Sequence, residues 1–134
     1  MDAKVTWNGE GMSFTGISEK EFPVKMGGKE ESEPSPMEMV LMGLGGCTGM
    51  DCMSVLLKKR EKVKEFEIAI RTERADSYPQ KFTRIEMEYI FKGEELDRDK
   101  VEKAVDLSAN KYCSVKASLD PAIEFVTRIT IIEA

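Results

Sequence analysis

The chain of 134 residues is long enough to form one domain with a hydrophobic core and too short for two. Its composition, 41% hydrophobic and 34% charged residues, is that of an ordinary globular protein. The formal net charge of -5 argues against the basic surface that binds nucleic acid. We therefore predict a single soluble domain over residues 1–134 with no nucleic-acid partner.

The counts of cysteine and histidine restrict the chemistry further. The chain has three cysteines without C-x-x-C spacing and no histidine, so we predict neither a disulfide framework nor a usual zinc site. The absence of histidine also excludes Ser/His/Asp and Cys/His triads. We expect no metal and no cofactor. The chain starts MDAKVTW without an apolar run of signal length, and the apolar stretch 37–44 is too short to span a bilayer. A cytoplasmic protein without membrane association is therefore predicted.

The first elements along the chain are two predicted strands. Apolar residues alternate with polar ones in residues 3–7, and residues 12–17 follow the dipeptide Asn8-Gly9. This dipeptide supplies the positive φ values of a tight hairpin turn, so the two segments are predicted to form a β-hairpin. Residues 27–34 are polar and rich in turn formers, and they predict an exposed loop.

A strong helix start follows at Ser35. Ser35 can act as the N-cap, Pro36 suits the first helical position, and Glu38 is placed to complete a capping box. Four cations complement the helix dipole near the predicted end at about Lys62. Apolar residues point in nearly every direction along this segment, so its first four turns are predicted to be shielded from water on all sides. This is predicted to be the central helix.

Four glycines interrupt this helix, at positions 43, 45, 46 and 49. Each costs about 1 kcal/mol relative to alanine, so together they cost roughly 4 kcal/mol. Something must approach the helix closely to offset that cost. The simplest candidate is another helix, such as the same helix of a second subunit.

The second half of the chain alternates strands and a helix. Residues 65–74 and 83–92 have strand periodicity, with a loop at 75–81 between them. Asp97 can cap a second helix that stops near Asn110 and whose inner stripe is Val101, Ala104, Val105 and Ser108. A last strand covers residues 123–131. The order of elements predicts an α+β domain with an antiparallel sheet.

Two half-hidden thiols indicate redox chemistry. Cys47 lies in the middle of the central helix, and Cys113 opens a short third helix, where free backbone N–H groups can stabilise an anion. The alternative for Cys47 is a small buried hydrophobe, the usual role of a free cysteine. Cys52 points about 140° away from Cys47 on the helix and is predicted to pack in the core.

Three segments in this order carry a resemblance to a known family: SPMEMVLMGLGGC, YPQKFTRIEMEYIF and LSANKYCSV. They resemble the OsmC/Ohr family of osmotically inducible and organic hydroperoxide resistance proteins, and are most similar to the less studied branch whose helix reads GGCTGMD. The resemblance implies an OsmC-like fold: antiparallel sheets packed around two central helices in an intertwined homodimer, with an active site at each subunit boundary.

The resemblance also implies a thiol-dependent peroxidase that reduces organic hydroperoxides. Cys47 would attack the peroxide and become a sulfenic acid, and Cys113 would then form a disulfide with it. A dithiol reductant, such as a lipoyl group, would restore both thiols.

The chain departs from the family pattern around the thiol. Better characterised members carry an N-terminal Arg, and a Glu at the position of Met37, and the two hold the thiolate. No Arg precedes Arg60 here, so a supporting cation would have to be Lys25 or Lys29, and the nearest acid is Glu38. Their alternatives are a solvated surface charge for either lysine and helix capping for Glu38.

Two other functions stay open at this point. The first is a non-catalytic OsmC-like dimer that binds a small apolar or thiol ligand, or that senses oxidation. The second is a structural dimer whose cysteines are incidental.

Overall fold

The computed structural model describes residues 1–134. The chain divides into two compact units, Met1–Met42 and Gly43–Ala134, each with one three-stranded sheet. The α+β class is confirmed by these sheets and the helices that accompany them. The single domain predicted for residues 1–134 stays a prediction.

The N-terminal unit contains an antiparallel sheet in the order β1-β2-β3, formed by β1 (Ala3–Trp7), β2 (Phe14–Ser18) and β3 (Pro23–Met26). The hairpin β1–β2 is confirmed, but its connection has six residues instead of a tight turn. Gly9 and Gly11 adopt positive φ in it, and the Asn8 side chain holds it by donating to Ser13 Oγ (2.8 Å) and accepting from Thr15 Oγ1 (2.8 Å). Strand β3 was not predicted.

The capping box that opens the long helix is confirmed. Ser35 N donates to Glu38 Oε1 at 2.9 Å, and Glu38 N donates to Ser35 Oγ at 3.1 Å. These bonds from Ser35 hold the pKa of Glu38 below its ordinary value. Glu38 is therefore engaged in starting the helix.

The helix, α1 (Pro36–Lys58), ends four residues earlier than predicted. Arg60 has a left-handed φ of 59°, and Glu61 N donates to Leu56 O at 3.0 Å, which closes the last turn. The positive φ lies outside helical geometry, so the cations beyond Lys58 belong to the turn and to the next strand.

One stripe of α1 is fully buried, with a residue in each turn: Leu44, Thr48, Cys52 and Leu56. Side chains elsewhere on α1 are exposed within the chain, notably Met50 (76%) and Leu57 (63%). The sequence predicted that the first four turns of this helix are shielded from water on all sides. Within the single chain, part of the helix surface is exposed instead.

By length and composition alone, α1 could cross a membrane, with a mean hydropathy of 1.5 and 22% of its most apolar stretch buried. The sequence-based prediction considered only the stretch 37–44, which is too short to span a bilayer, whereas the whole helix has 23 residues. The core helix of a water-soluble protein has the same length and composition, so this property does not distinguish the two cases.

The second unit contains a sheet in the order β4-β5-β6, formed by β4 (Lys62–Arg74), β5 (Phe82–Glu94) and β6 (Glu124–Glu133). β4 and β5 are antiparallel, but β5 and β6 are parallel, with Tyr89 opposite Ile129. The prediction of a purely antiparallel sheet is wrong for this pair. The helical segment between β5 and β6 is a crossover connection, which returns the chain in the same direction.

Two of the four helix glycines face strand β4. A Cβ on Gly45 would lie 3.2 Å from Ile70 Cδ1, and one on Gly49 would lie 3.5 Å from Ile68 Cδ1. Within the chain, Gly43 and Gly46 have nothing within 4 Å of that position. The close neighbour of Gly45 and Gly49 is thus a strand, not the helix that the sequence suggested.

Helix α2 (Arg98–Leu107) begins as predicted, since Asp97 accepts hydrogen bonds from Asp99 N (2.9 Å) and Lys100 N (3.4 Å). Its predicted inner stripe is buried. The chain then forms a five-residue π-helical turn, Ser108–Tyr112, and a short helix, α3 (Ser114–Ala117). The predicted third helix after Cys113 is confirmed.

A cluster of charges covers part of strand β5. Glu86 is 7% exposed, and its carboxylate lies 3.1 Å from Arg71 Nη1, 3.2 Å from Arg128 Nη2 and 3.7 Å from Arg84 Nη2. The hydrogen bond from Arg71, with the positive charge of all three arginines, holds the pKa of Glu86 below its ordinary value. This carboxylate is ionised and well compensated.

Candidate thiol site

The second unit brings together two thiols and a carboxylate. The Sγ atoms of Cys47 and Cys113 and a carboxylate oxygen of Asp51 all lie within 4.8 Å of one another. Cys47 and Asp51 are four residues apart on α1, which places them on one face of the helix. The two cysteines predicted from the sequence are therefore neighbours in space, although 66 positions separate them.

The π-helical turn positions Cys113. Cys113 N donates to Ser108 O at 2.8 Å, the bond that closes the turn, and Cys113 then becomes the N-cap of α3. Its Sγ accepts a hydrogen bond from Lys116 N at 3.4 Å, and the residue is only 4% exposed. The backbone bond places the residue, and the hydrogen bond from Lys116 N orients its sulfur.

Burial raises the pKa of the Cys113 thiol, and the neighbouring Cys47 raises it further. The hydrogen bond from Lys116 N opposes this change without overcoming it. The start of the third helix thus lowers the pKa of Cys113 in the predicted direction, but burial outweighs it. Reduced Cys113 is a protonated thiol at neutral pH.

Asp51 is the residue that the sequence analysis missed. Its Oδ2 atom is enclosed by the protein and has no hydrogen-bond partner. A buried carboxylate oxygen without a hydrogen-bond partner costs free energy, so such atoms are uncommon in folded proteins and often mark a functional site. The signal that could have found it is the spacing Cys47-x-x-x-Asp51 on a helix.

A buried hydroxyl cluster lies beside the two thiols and fixes their relative position. Thr48 Oγ1 is hydrogen-bonded to Tyr89 OH at 3.0 Å and to Ser108 Oγ, and Ser108 Oγ also donates to the carbonyl of Thr48 at 2.9 Å. Burial raises the pKa of Tyr89 to about 12, so its hydroxyl stays protonated. Because Thr48 follows Cys47 and Ser108 anchors the turn before Cys113, this cluster joins the two cysteine segments.

Cys52 has a different environment from the other two cysteines. It is fully buried, and its Sγ lies 3.9 Å from Ala104 O. Burial raises its pKa to about 11, so it is a neutral thiol at any physiological pH. These observations agree with the predicted packing role.

A cleft of about 440 Å³ borders Cys113 on the side of α3. Lys111 and Lys116 lie at its wall, and the Lys116 ammonium sits 4.7 Å from the centre of the Phe125 ring. Lys116 Nζ also lies 3.5 Å from Asn110 Oδ1. The cleft therefore combines apolar and cationic surface next to a thiol.

The predicted supporting residues lie in the N-terminal unit. Lys25 is exposed on β3, opposite Thr15, and Lys29 is exposed in the segment that precedes the helix. Glu38 is exposed and holds the capping box. The structure brings Cys47 and Cys113 together with Asp51, and any role of Lys25, Lys29 or Glu38 in chemistry stays a prediction.

Comparisons with known proteins identify the family of the chain. Residues 27–128 match the family described as OsmC-like protein. Protein YhfA of Escherichia coli strain K12 is 40% identical over an alignment that covers 100% of both chains.

Solved structures extend the likeness to the fold. A hypothetical protein from Aquifex aeolicus VF5 is 27% identical with a TM-score of 0.89, over 99% of this chain and 96% of the other. The organic hydroperoxide resistance protein OhrB of Bacillus subtilis shares the fold at 17% identity, with a TM-score of 0.60 over 98% of each chain. With the family match over three quarters of its residues, the chain belongs to the OsmC-like protein family.

Proposed function

We propose that the protein is a thiol-dependent peroxidase that reduces organic hydroperoxides. The observation that carries this proposal is the distance between the Sγ atoms of Cys47 and Cys113, at most 4.8 Å, in a member of a family that includes hydroperoxide resistance proteins. A disulfide needs the sulfurs at about 2.05 Å, so a small side-chain movement would join them.

The reaction starts at Cys47, the more exposed of the two thiols. Its thiolate attacks the peroxide oxygen, the O–O bond breaks, and the alkoxide leaves and takes a proton to become an alcohol. Cys47 is oxidised to a sulfenic acid, and the hydroperoxide is reduced.

Cys113 completes the half-reaction. Its raised pKa means that it arrives as a thiol, so its sulfur attacks the sulfenic sulfur while its proton leaves with the hydroxyl group as water. The products are one disulfide and one water. An external dithiol, such as a lipoyl group, then reduces the protein disulfide to two thiols and is itself oxidised to a disulfide. Such a cycle requires a reducing compartment, and we propose the cytoplasm.

We further propose that the active form is a homodimer in which α1 packs against its copy. Four residues of α1 with the spacing of a helix–helix contact are exposed within the chain: Gly43, Gly46, Met50 and Leu57. Two of them carry no side chain and two are large and apolar, a combination that lets a second helix approach closely.

The test uses the reduced protein and cumene hydroperoxide in the presence of a chelator. Wild-type protein is expected to lose two thiols per chain, and its mass is expected to fall by the two hydrogens of a disulfide. Cys47→Ser is expected to consume no peroxide, and Cys113→Ser is expected to accumulate a sulfenic acid that dimedone traps. Cys52→Ser is the matched control, with both reactive thiols in place.

Retention of both thiols by the wild-type protein would refute the peroxidase. Equal turnover by Cys47→Ser and Cys113→Ser would contradict the separate roles of the two cysteines.

A second candidate is a protein that senses oxidation through the same disulfide. The observation in its favour is that no Lys or Arg side chain forms a salt bridge with Asp51 or a hydrogen bond with either thiol, whereas a reactive cysteine commonly has a cation beside it. The rate separates the two functions: a peroxidase turns over repeatedly with a dithiol present, whereas a sensor forms its disulfide slowly and once.

A further inference from the structure

We propose that Cys47, Asp51 and Cys113 form a site for a thiophilic divalent cation, of which Zn²⁺ is the best match, and that the bound cation masks both thiols. The binding stands on geometry alone. The consequence, protection of the thiols from peroxide, rests on the proposed function.

The first argument is the separation of the three donor atoms. In tetrahedral coordination with Zn–S bonds of 2.3 Å, two thiolate sulfurs lie about 3.8 Å apart. The three donors are already within 4.8 Å of one another. Movements of about 1 Å, which side-chain rotation supplies, would bring them to coordination distance around one ion.

The second argument is the enclosed Oδ2 atom of Asp51. An ionised carboxylate has only acceptor sites, and this oxygen receives no hydrogen bond and no salt bridge from the chain. A cation held between Asp51 and the two sulfurs would give the oxygen the partner that the protein does not.

The third argument is the charge of the cluster. Three groups that can carry a negative charge share one small volume, and no side-chain cation compensates them. Lys116 follows Cys113 by three residues, but its ammonium contacts Asn110 Oδ1 and the Phe125 ring. A cation placed between these three donor atoms would supply the positive charge that the chain does not.

The donor set selects the type of metal. Thiolates favour zinc and other soft ions, whereas magnesium and calcium prefer sites made of oxygen. Three protein ligands leave a fourth position for water, which is typical of an open zinc site and not of a closed structural one. The hydroxyl cluster of Thr48, Tyr89 and Ser108 holds the two cysteine segments in place before any ion binds.

This proposal reverses the expectation of no metal site. That expectation relied on local cysteine and histidine patterns. Here the spacing Cys47-x-x-x-Asp51 puts two donors on one helix face, and the fold supplies the third from Cys113.

The bound ion would change the chemistry of the thiols without oxidising them. Binding replaces two S–H protons with two Zn–S bonds, so two protons are released and no electrons move. A sulfur pair held by zinc cannot close to a disulfide, and therefore peroxide should consume the thiols more slowly when zinc is bound.

The test titrates reduced, metal-free protein with Co²⁺, which reports thiolate ligands through a charge-transfer band in the near ultraviolet. Zn²⁺ is then added to displace the cobalt, and a zinc-binding dye measures the affinity. We expect one ion per chain and both thiolates in its coordination. In Asp51→Asn, which keeps every thiol, zinc should bind at least about tenfold more weakly.

The variants separate this site from other outcomes. Cys47→Ser and Cys113→Ser should each lose the two-thiolate spectrum, whereas Cys52→Ser should bind like the wild type. An absence of the charge-transfer band, or a zinc affinity that Asp51→Asn leaves unchanged, would overturn the proposal.

The binding test contains no peroxide and the peroxidase test contains a chelator, so the two proposals can fail separately. If zinc binds and the protein has no peroxidase activity, the metal site stands and the masking role falls. If zinc binds and leaves the rate of thiol oxidation unchanged, the masking role is wrong even in an active peroxidase.

Discussion

Asp51 on α1 and Glu86 on β5 are two carboxylates with opposite electrostatic environments. Glu86 is surrounded by Arg71, Arg84 and Arg128, so its negative charge is compensated within the chain. Asp51 has an enclosed oxygen with no partner, and two thiols for neighbours. A compensated carboxylate contributes to folding, whereas an uncompensated one costs free energy and is available to a group from outside the chain.

The same contrast separates two clusters that lie side by side. In the hydroxyl cluster, Thr48, Tyr89 and Ser108 satisfy one another. In the thiol site, Asp51 Oδ2 has no hydrogen-bond partner. We therefore expect changes in the first cluster to lower stability and changes in the second to alter chemistry.

The largest effect on stability is expected from Thr48→Val, which keeps the shape of the side chain and removes its hydroxyl. Tyr89 OH and Ser108 Oγ then each lose a buried partner, so the free energy of unfolding should fall by about 1–3 kcal/mol. Urea denaturation measures this. The control is Thr127→Val, at an exposed threonine on β6, and its free energy of unfolding should stay within about 0.5 kcal/mol of that of the wild type. Equal effects of the two substitutions would show that the hydroxyl cluster does not stabilise the fold.

A smaller, pH-dependent effect is expected from Glu86→Gln. The lowered pKa of Glu86 means that its stabilising contribution is complete above the pKa of the unfolded carboxyl and is lost as the pH falls through the folded value. The variant should therefore be less stable than the wild type at pH 7, and the difference should disappear in acid. Unfolding midpoints measured from neutral pH down to about pH 3 check this. A difference that is constant over this range would mean that the arginine cluster does not depend on the Glu86 charge.

Asp51→Asn is the matched change at the uncompensated carboxylate, and the expected sign is reversed. The substitution removes a charge that has no partner, so the free energy of unfolding should be unchanged or higher by up to about 1 kcal/mol at pH 7. The same urea experiment measures both variants. A clear loss of stability would indicate that Asp51 makes a contact that supports the fold.

The smallest effect is expected at Cys52. With a pKa of about 11, only about one Cys52 in a thousand is a thiolate at pH 8, and the side chain is fully buried. Iodoacetamide at pH 8 should therefore modify Cys47 and leave Cys52 unmodified in the folded protein, as peptide mass mapping can show. Rapid modification of Cys52 in folded protein would contradict its packing role.

Local signals in the sequence predicted most of the elements. The capping box of Ser35 and Glu38 and the cap at Asp97 depend on residues three or fewer positions apart, and both are found as predicted. The buried stripe of α2 follows directly from helical periodicity.

The features that were missed depend on distant parts of the chain or on exceptions to local rules. Strand β3 begins with a proline, which argues against a strand, and it is only four residues long. The parallel pairing of β6 follows from the whole crossover connection and not from β6 itself. The spacing of Cys47 and Asp51 places these two side chains on one helix face, but no spacing along the chain reveals that Cys113 lies beside them.

The contact between the two thiols depends on the width of the π-helical turn at Ser108–Tyr112. Its closing bond spans five residues, where a regular turn spans four, so the turn contains one residue more than an α-helix would use. If the same five residues wound as a regular α-helix, Cys113 would lie about 100° further around the helix axis. The width of this turn, and not the presence of the cysteine alone, therefore decides whether the second sulfur can reach the first.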